Sequence, residues 1–257
     1  MSLGLIFHFY SESLLLPHFV RHYLPLIDSA IGINHRSTDN SVEIIKSLAP
    51  HWRVVDTGLN EFDARQNDLE CMEYEKELKT KWKFISNVTE FLFIPDLKNR
   101  LEEIEKTCPS GLAFGIRTVS LVDKEQLSII DPIWANRTHG YINYEKAVET
   151  TRRYRYIHKA PQGEYELGRH ATRLPYVDIP ELLLLHFGLS PWPECINRIL
   201  QVQERIPQKD KDIKAGWEHI VTLEQLKERR LKMLEQSYDL MLDENYKRCY
   251  TEILRGP

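Results

Sequence analysis

Trp82-Lys83-Phe84-Ile85-Ser86-Asn87-Val88-Thr89-Glu90-Phe91-Leu92-Phe93-Ile94 is the stretch on which the fold turns. Two short apolar runs, Trp82 to Ile85 and Phe91 to Ile94, flank the polar knot Ser86 to Glu90. Such runs read as buried strands, although so short a run does not by itself exclude a helix. In an α/β sheet, ligands bind where polar residues leave the carboxyl end of a buried strand. The knot is therefore the expected floor of a ligand site, and the rest of the chain has to supply its walls.

Upstream, the pattern alternates. Leu3 to Tyr10 reads as a buried strand, broken by Ser11-Glu12-Ser13. Leu15, Leu16, Phe19, Val20, Tyr23 and Leu24 then recur at helical spacing, with Pro17 tolerated in the first turn. Ala30 to Ile33 is a second strand, running into Asn34-His35-Arg36-Ser37-Thr38-Asp39. Asn40 with Glu43 resembles a capping box for a helix that Pro50 stops. Trp52 to Asp56 is a third strand, and Asp63 with Gln66 opens a helix whose run Glu70 to Glu77 reads as a solvated face. This β-α-β-α-β-α-β order predicts a mostly parallel sheet with right-handed crossovers.

Downstream, the spacing predicts a charged helix over Asp96 to Lys106 and a strand over Leu112 to Val119. Residues 120–150 read as loops and turns. Arg152 to His158 alternates basic and aromatic residues, as a half-exposed strand does, and Glu181 to Phe187 is a buried strand. Pro191 to Arg205 looks helical, Gln208 to Lys214 reads as a mobile loop, and Thr222 with Gln225 caps a final long helix. The expected organisation is one α/β unit over residues 1–220 with a helical extension, 221–257, packed on it.

Composition narrows the function classes. The chain has 257 residues, 42% hydrophobic and 28% charged, which is ordinary for a globular protein. A formal charge of −4 gives no bulk electrostatic reason to expect nucleic acid. Cys71, Cys108, Cys195 and Cys249 are scattered, which disfavours a zinc site and suits a reducing compartment. Gly4 to Phe7 is too short for a secretory h-region, and no apolar run approaches the ~20 residues of a membrane span. The expected location is cytoplasmic. There is no Gly-x-Gly-x-x-Gly, Walker A loop, Gly-x-Ser-x-Gly elbow or His-Glu-x-x-His.

Three polar strand ends are candidate site material: Tyr10-Ser11-Glu12, Asn34 to Asp39, and the knot around Asn87. Each competes with an ordinary explanation, a helix-capping or Asx turn. Their coincidence along one sheet edge favours a site. His186 within Leu182 to Gly188 competes with a satisfied core histidine, and His219 with a surface one. Arg169-His170 suits an anion. Arg152, Arg153, Arg155 and Lys159 form the one locally basic segment, a candidate phosphate contact that competes with a solvated edge strand.

Together these residues resemble a family 2 glycosyltransferase with the GT-A fold, in the branch that opens with an aromatic strand and Tyr-Asn-Glu-Glu. That opening reads His8-Phe9-Tyr10-Ser11-Glu12-Ser13 here. The family's Asp-x-Gly-Ser-Thr-Asp-x-Ser reads Asn34-His35-Arg36-Ser37-Thr38-Asp39-Asn40-Ser41, and its Asn-x-Asp-Glu-Phe-Leu reads Asn87-Val88-Thr89-Glu90-Phe91-Leu92. Gly168-Arg169-His170, His186-Phe187-Gly188 and Gly216-Trp217-Glu218-His219 extend the likeness.

The resemblance implies a Rossmann-like, mostly parallel sheet and glycosyl transfer from a nucleoside-diphosphate sugar to a saccharide or other hydroxyl acceptor, usually with Mn²⁺ or Mg²⁺. It places Tyr10, Glu12, Asn34, Asp39 and Asn87 at the nucleotide. Thr89, Glu90 and His219 stand at the metal, and Arg169, His170 and His186 near phosphate or acceptor. Glu90 and Asp210 are the expected catalytic carboxylates, with Glu194 also near the acceptor half. The chain departs from the pattern where aspartates become Asn34 and Thr89 and a glycine becomes Arg36. Hard cations prefer charged oxygens, which Asn87 and Thr89 lack. Three readings stay open: Glu90 with His219 holds the metal, basic residues replace the cation, or the fold binds without transfer.

Overall fold

The computed structural model describes residues 2–108, 112–142, 154–212 and 220–255. Its first half alternates as the sequence predicts: β1 (Leu3–Phe9), α1 (Leu16–Tyr23), β2 (Ser29–Asn34), α2 (Ser41–Leu48), β3 (Arg53–Asp56), α3 (Ala64–Glu77) and β4 (Trp82–Asn87). These four strands are parallel in the spatial order β3-β2-β1-β4. A short β5 (Glu90–Leu92), α4 (Leu97–Thr107), β6 (Ala113–Val122), β7 (His139–Ile142) and β8 (Tyr154–His158) follow. The chain continues through β9 (Tyr176–Leu189), α5 (Cys195–Arg205), α6 (Gln208–Asp212), α7 (Leu223–Gln236), β10 (Tyr238–Asp239) and α8 (Glu244–Arg255). The sheet extends past β4 as β8-β6-β7-β10, with β9 beside β6 and β5 against β9. Only β5, β7 and β8 run against the other described strands, so the sheet is mixed, mostly parallel and Rossmann-like.

Period-two alternation sorts the parallel strands between two layers. Leu5, Phe7 and Phe9 of β1 join Phe19 and Val20 of α1 in the main core, whereas Ile6 packs with Ile31, Ile33, Ile85, Cys71 and Met72 on the α3 side. Leu240, Tyr246 and Cys249 belong to the main core, so the segment after residue 220 is packed into the molecule, and β10 pairs with β7.

Several expectations shift. Asp63 and Thr222 cap their helices as predicted, Thr222 within a full capping box. Asn40 makes no side-chain cap; Asp39 accepts the Ser41 N–H instead, at 3.0 Å. The mobile loop is replaced over its first part by α6. The final helix divides, because Tyr238 enters a strand. Within the expected solvated run Glu70 to Glu77 of α3, Glu73, Lys76 and Glu77 are exposed, but Cys71, Met72 and Glu75 are buried and continue a stripe begun by Asn67 and Asp68. The basic strand is not an edge: β8 lies between β4 and β6. Arg152, Arg153 and the Gly216-to-His219 motif, His219 included, fall outside the described residues. Among the described residues, no helix is long and apolar enough to cross a membrane.

Candidate nucleotide-binding edge

Because β1 to β4 are parallel, their carboxyl ends share one edge. Phe9 sits beside Asn34, Asn34 beside Asp56, and His8 beside Asn87. Two loops leave this edge and are laced together. Ser11 N–H donates to Ser37 Oγ at 2.9 Å, Glu12 N–H to Ser41 Oγ at 2.9 Å, and Ser13 N–H to Asp39 Oδ2 at 3.0 Å. Burial alone would raise the Asp39 pKa, but hydrogen bonds from Ser41 and Ser13 outweigh it and lower the value. Ser11 and Arg36 adopt left-handed φ values of 48° and 61°. That conformation explains why glycine suits the position of Arg36 in the resembling motif.

The expected nucleotide contacts have specific local jobs. Asn34 Nδ2 donates to Asp56 Oδ1 at 2.8 Å, while its Oδ1 accepts the Ser37 N–H at 2.9 Å. Both ends of its amide are thus committed, and the exposed carboxylate Asp56 becomes the acidic group of the β2–β3 edge. The Arg205 guanidinium stacks 4.0 Å over the Tyr10 ring. Glu12 is only 8% exposed, and its Oε2 has no hydrogen-bond partner. Burial, opposed by Arg198 3.7 Å from Oε1, pushes its pKa up to about 7.

The knot closes on itself. A turn at Val88–Thr89 brings Glu90 back so that its Oε2 accepts the Asn87 N–H at 2.9 Å. Arg155 then forks across the carboxylate, Nε to Oε2 at 3.0 Å and Nη2 to Oε1 at 2.7 Å. Burial alone would raise the Glu90 pKa, but the Arg155 charge overrides it and pushes the value down to about 2. Asn87 Oδ1 accepts from Arg169 Nη2 at 2.6 Å and lies 3.0 Å from His8 Nε2. Arg169 is paired with Asp68 of α3, which also accepts the Gly168 N–H at 2.7 Å. The anion that Arg169 holds is therefore the protein's own. Burial first, then the Arg169 charge, keeps the His8 pKa well below its ordinary value.

The remaining expected residues spread out. Thr89 is buried, and its carbonyl accepts the Phe187 N–H at 2.8 Å. His186 stands opposite Glu90 across the β5–β9 pair, and His170 accepts from Arg155 Nη1 at 2.8 Å. Asp210 lies at the start of α3, where its Oδ2 accepts the Ala64 N–H at 2.9 Å. That commits one of its oxygens to capping a helix rather than to proton transfer. A separate cavity of about 240 Å³ beside α1, lined by His18, His22, Phe91 and Trp134 among others, contains none of the expected site residues.

Among the described residues this donor set does not fit a divalent cation, and His219 lies outside them. Asn87 and Thr89 are neutral, and both Glu90 oxygens are occupied by hydrogen bonds from Arg155. Among the described residues no group of three His, Cys, Asp or Glu side chains is arranged to hold a metal. The residues that sequence reasoning missed are Arg169's partner Asp68, Arg198, Arg205 and Asp56, and Arg155 was seen only as part of a basic segment, not as the partner of Glu90. Arg155 carried one signal: it shares strand parity with apolar Ile157, which marks an inward-facing position.

No family model matches the chain, and no curated protein does. Solved structures with some similarity of fold include Staphylococcus aureus TarS 1–349 in complex with UDP, at 11% identity over 62% of this chain and 47% of that one, TM-score 0.41. Another is glucosyl-3-phosphoglycerate synthase from Mycobacterium tuberculosis in complex with Mg²⁺ and UDP, at 11% identity over 62% of this chain and 56% of that one, TM-score 0.39. The chain spans about half the length of these structures.

Proposed function

We propose that the protein binds a nucleoside-diphosphate sugar along the carboxyl edge of β1 to β4 and transfers its glycosyl group to an acceptor hydroxyl. The observation that carries this reading is the laced polar shelf. Two loops from adjacent parallel strands are pinned by Ser37, Ser41 and Asp39, with Asp56 exposed beside them and Asn87 on the next strand. A pre-formed edge of fixed N–H groups and carboxylates suits a base and ribose, whose N–H and O–H groups need acceptors. In this reading Tyr10, Asn34, Asp39 and Asn87 shape the nucleotide side, Asn34 acting by holding Asp56. His170 and His186 are the candidates for a phosphate or acceptor contact.

Proton transfer from the acceptor needs a carboxylate with a free lone pair and a proton affinity near neutrality. Glu90 has neither, since its oxygens are engaged and its pKa lies at about 2. Glu12, raised to about 7 with a free Oε2, meets both conditions, and Asp210 keeps one oxygen free of its cap.

A second reading, binding without transfer, is favoured by the knot, whose charges saturate one another. Calorimetry and donor hydrolysis with UDP-glucose and a panel of other nucleotide sugars separate the two. Saturable binding with turnover supports transfer, and binding without turnover supports the silent reading. No binding to any member of the panel would sink both.

A further inference from the structure

The Arg155 guanidinium is enclosed by acceptors from three residues. Glu90 Oε1 and Oε2 lie at 2.7 and 3.0 Å, the Gly168 carbonyl at 2.9 Å and His170 Nδ1 at 2.8 Å. A carboxylate, a peptide carbonyl and an imidazole nitrogen are the donor types that hold divalent cations. Here all of them converge on a side chain that is 2% exposed and belongs to the interior strand β8. Glu90 is 3% exposed and also accepts the Asn87 N–H. A second fixed cation, Arg169, meets Asn87 at 2.6 Å on the other side of the knot. An added divalent ion would find the Glu90 oxygens taken and two positive charges close by.

We infer that Arg155 is the resident cation of this corner: its guanidinium takes up the carboxylate of Glu90, at the motif where the resemblance leads one to expect a metal, and nucleoside-diphosphate binding here needs no divalent ion. The nucleotide half of this inference rests on the proposed function; the cation half does not. Arg155 is a positioning residue. It fixes the Asn87–Glu90 turn through Glu90, and its planar fork satisfies both carboxylate oxygens at once, which an ammonium does not.

Two measurements on the intact protein test this. Titration of the wild type with MnCl₂, read by the electron paramagnetic resonance of free Mn²⁺, should show no site tighter than about millimolar. Calorimetric titration with UDP should give the same Kd in EDTA and in Mn²⁺ to within about twofold. The variant Arg155→Ala opens a hole lined by Glu90, Gly168 and His170. Its Tm should fall by roughly 10 °C. Millimolar guanidinium, but not sodium chloride of equal ionic strength, should recover part of that loss.

Micromolar Mn²⁺ binding by the wild type that disappears in Glu90→Gln would overturn the inference, as would UDP binding seen only with Mn²⁺. An Arg155→Ala protein as stable as wild type would also contradict it. If that variant does not fold, the wild-type Mn²⁺ titration decides. If UDP binds under neither condition, the nucleotide reading fails, while the Mn²⁺ titration and the guanidinium rescue still judge the cation claim.

Discussion

Glu90 and Glu12 are both buried carboxyl groups near one sheet edge, yet their surroundings drive them in opposite directions. Arg155 holds Glu90 ionised at about 2, against an ordinary value of 4.5. A depressed carboxylate adds stability that is fully present above the unfolded-state pKa and is lost as pH falls through the folded one. Glu90 should therefore contribute on the order of 3 kcal/mol above pH 4.5, lost between about pH 4.5 and pH 2. Glu90→Gln leaves Arg155 buried without its counter-charge and should cost about 3–5 kcal/mol at neutral pH, read from urea midpoints. Glu12 runs the other way: its folded pKa of about 7 favours the protonated form, so its contribution is full below pH 4.5 and fades as pH rises through 7. Glu12→Gln should remove that decline, and a urea-midpoint profile from pH 4 to pH 8 identical to wild type would refute the assignment.

At the scale of elements, α3 is where physical context overruled pattern. Ala64, Leu69 and Met72 look like its weakly apolar face, yet Leu69 is exposed, and the buried stripe is Asn67, Asp68, Cys71, Met72 and Glu75, whose polar members read as solvated in the sequence. They are buried because partners far along the chain neutralise them: Arg169 meets Asp68, and His158 meets Glu75 at 2.7 Å. Strand β8 misled in the same way, since Arg155 looks like edge chemistry until Glu90 is placed against it. Pairings 65 and 101 residues apart leave no local mark in a sequence. The helix caps, which are local, were readable at Asp63 and Thr222. Asp210, from α6, adds a second acidic group at the start of α3, where the helix dipole favours one. Asp210→Ala should cost about 1 kcal/mol and speed amide exchange over residues 64–67. If it instead abolishes turnover at unchanged stability, Asp210 is catalytic and its capping role secondary.

At the scale of the molecule, the parallel half was the most legible part because each β-α step is short and, α3 apart, its apolar period is clear. The antiparallel half was not, since β7 and β10 are brief and pair across long intervals. That pairing has a consequence for the expected boundary at residue 220. Tyr246 and Cys249 are fully buried in the main core, so a chain ending at residue 220 should lose cooperative unfolding and aggregate. A sharp calorimetric transition from residues 1–220 alone would show instead that the rest is dispensable.

If the carboxyl edge of β1 to β4 holds the nucleotide sugar, hydrogen–deuterium exchange in EDTA with and without UDP-glucose shows it most directly. Slowed exchange is expected in residues 10–13, 34–41, 56–60 and 87–90. Unchanged exchange in those segments, or protection only beside α1 around Trp134, would contradict it.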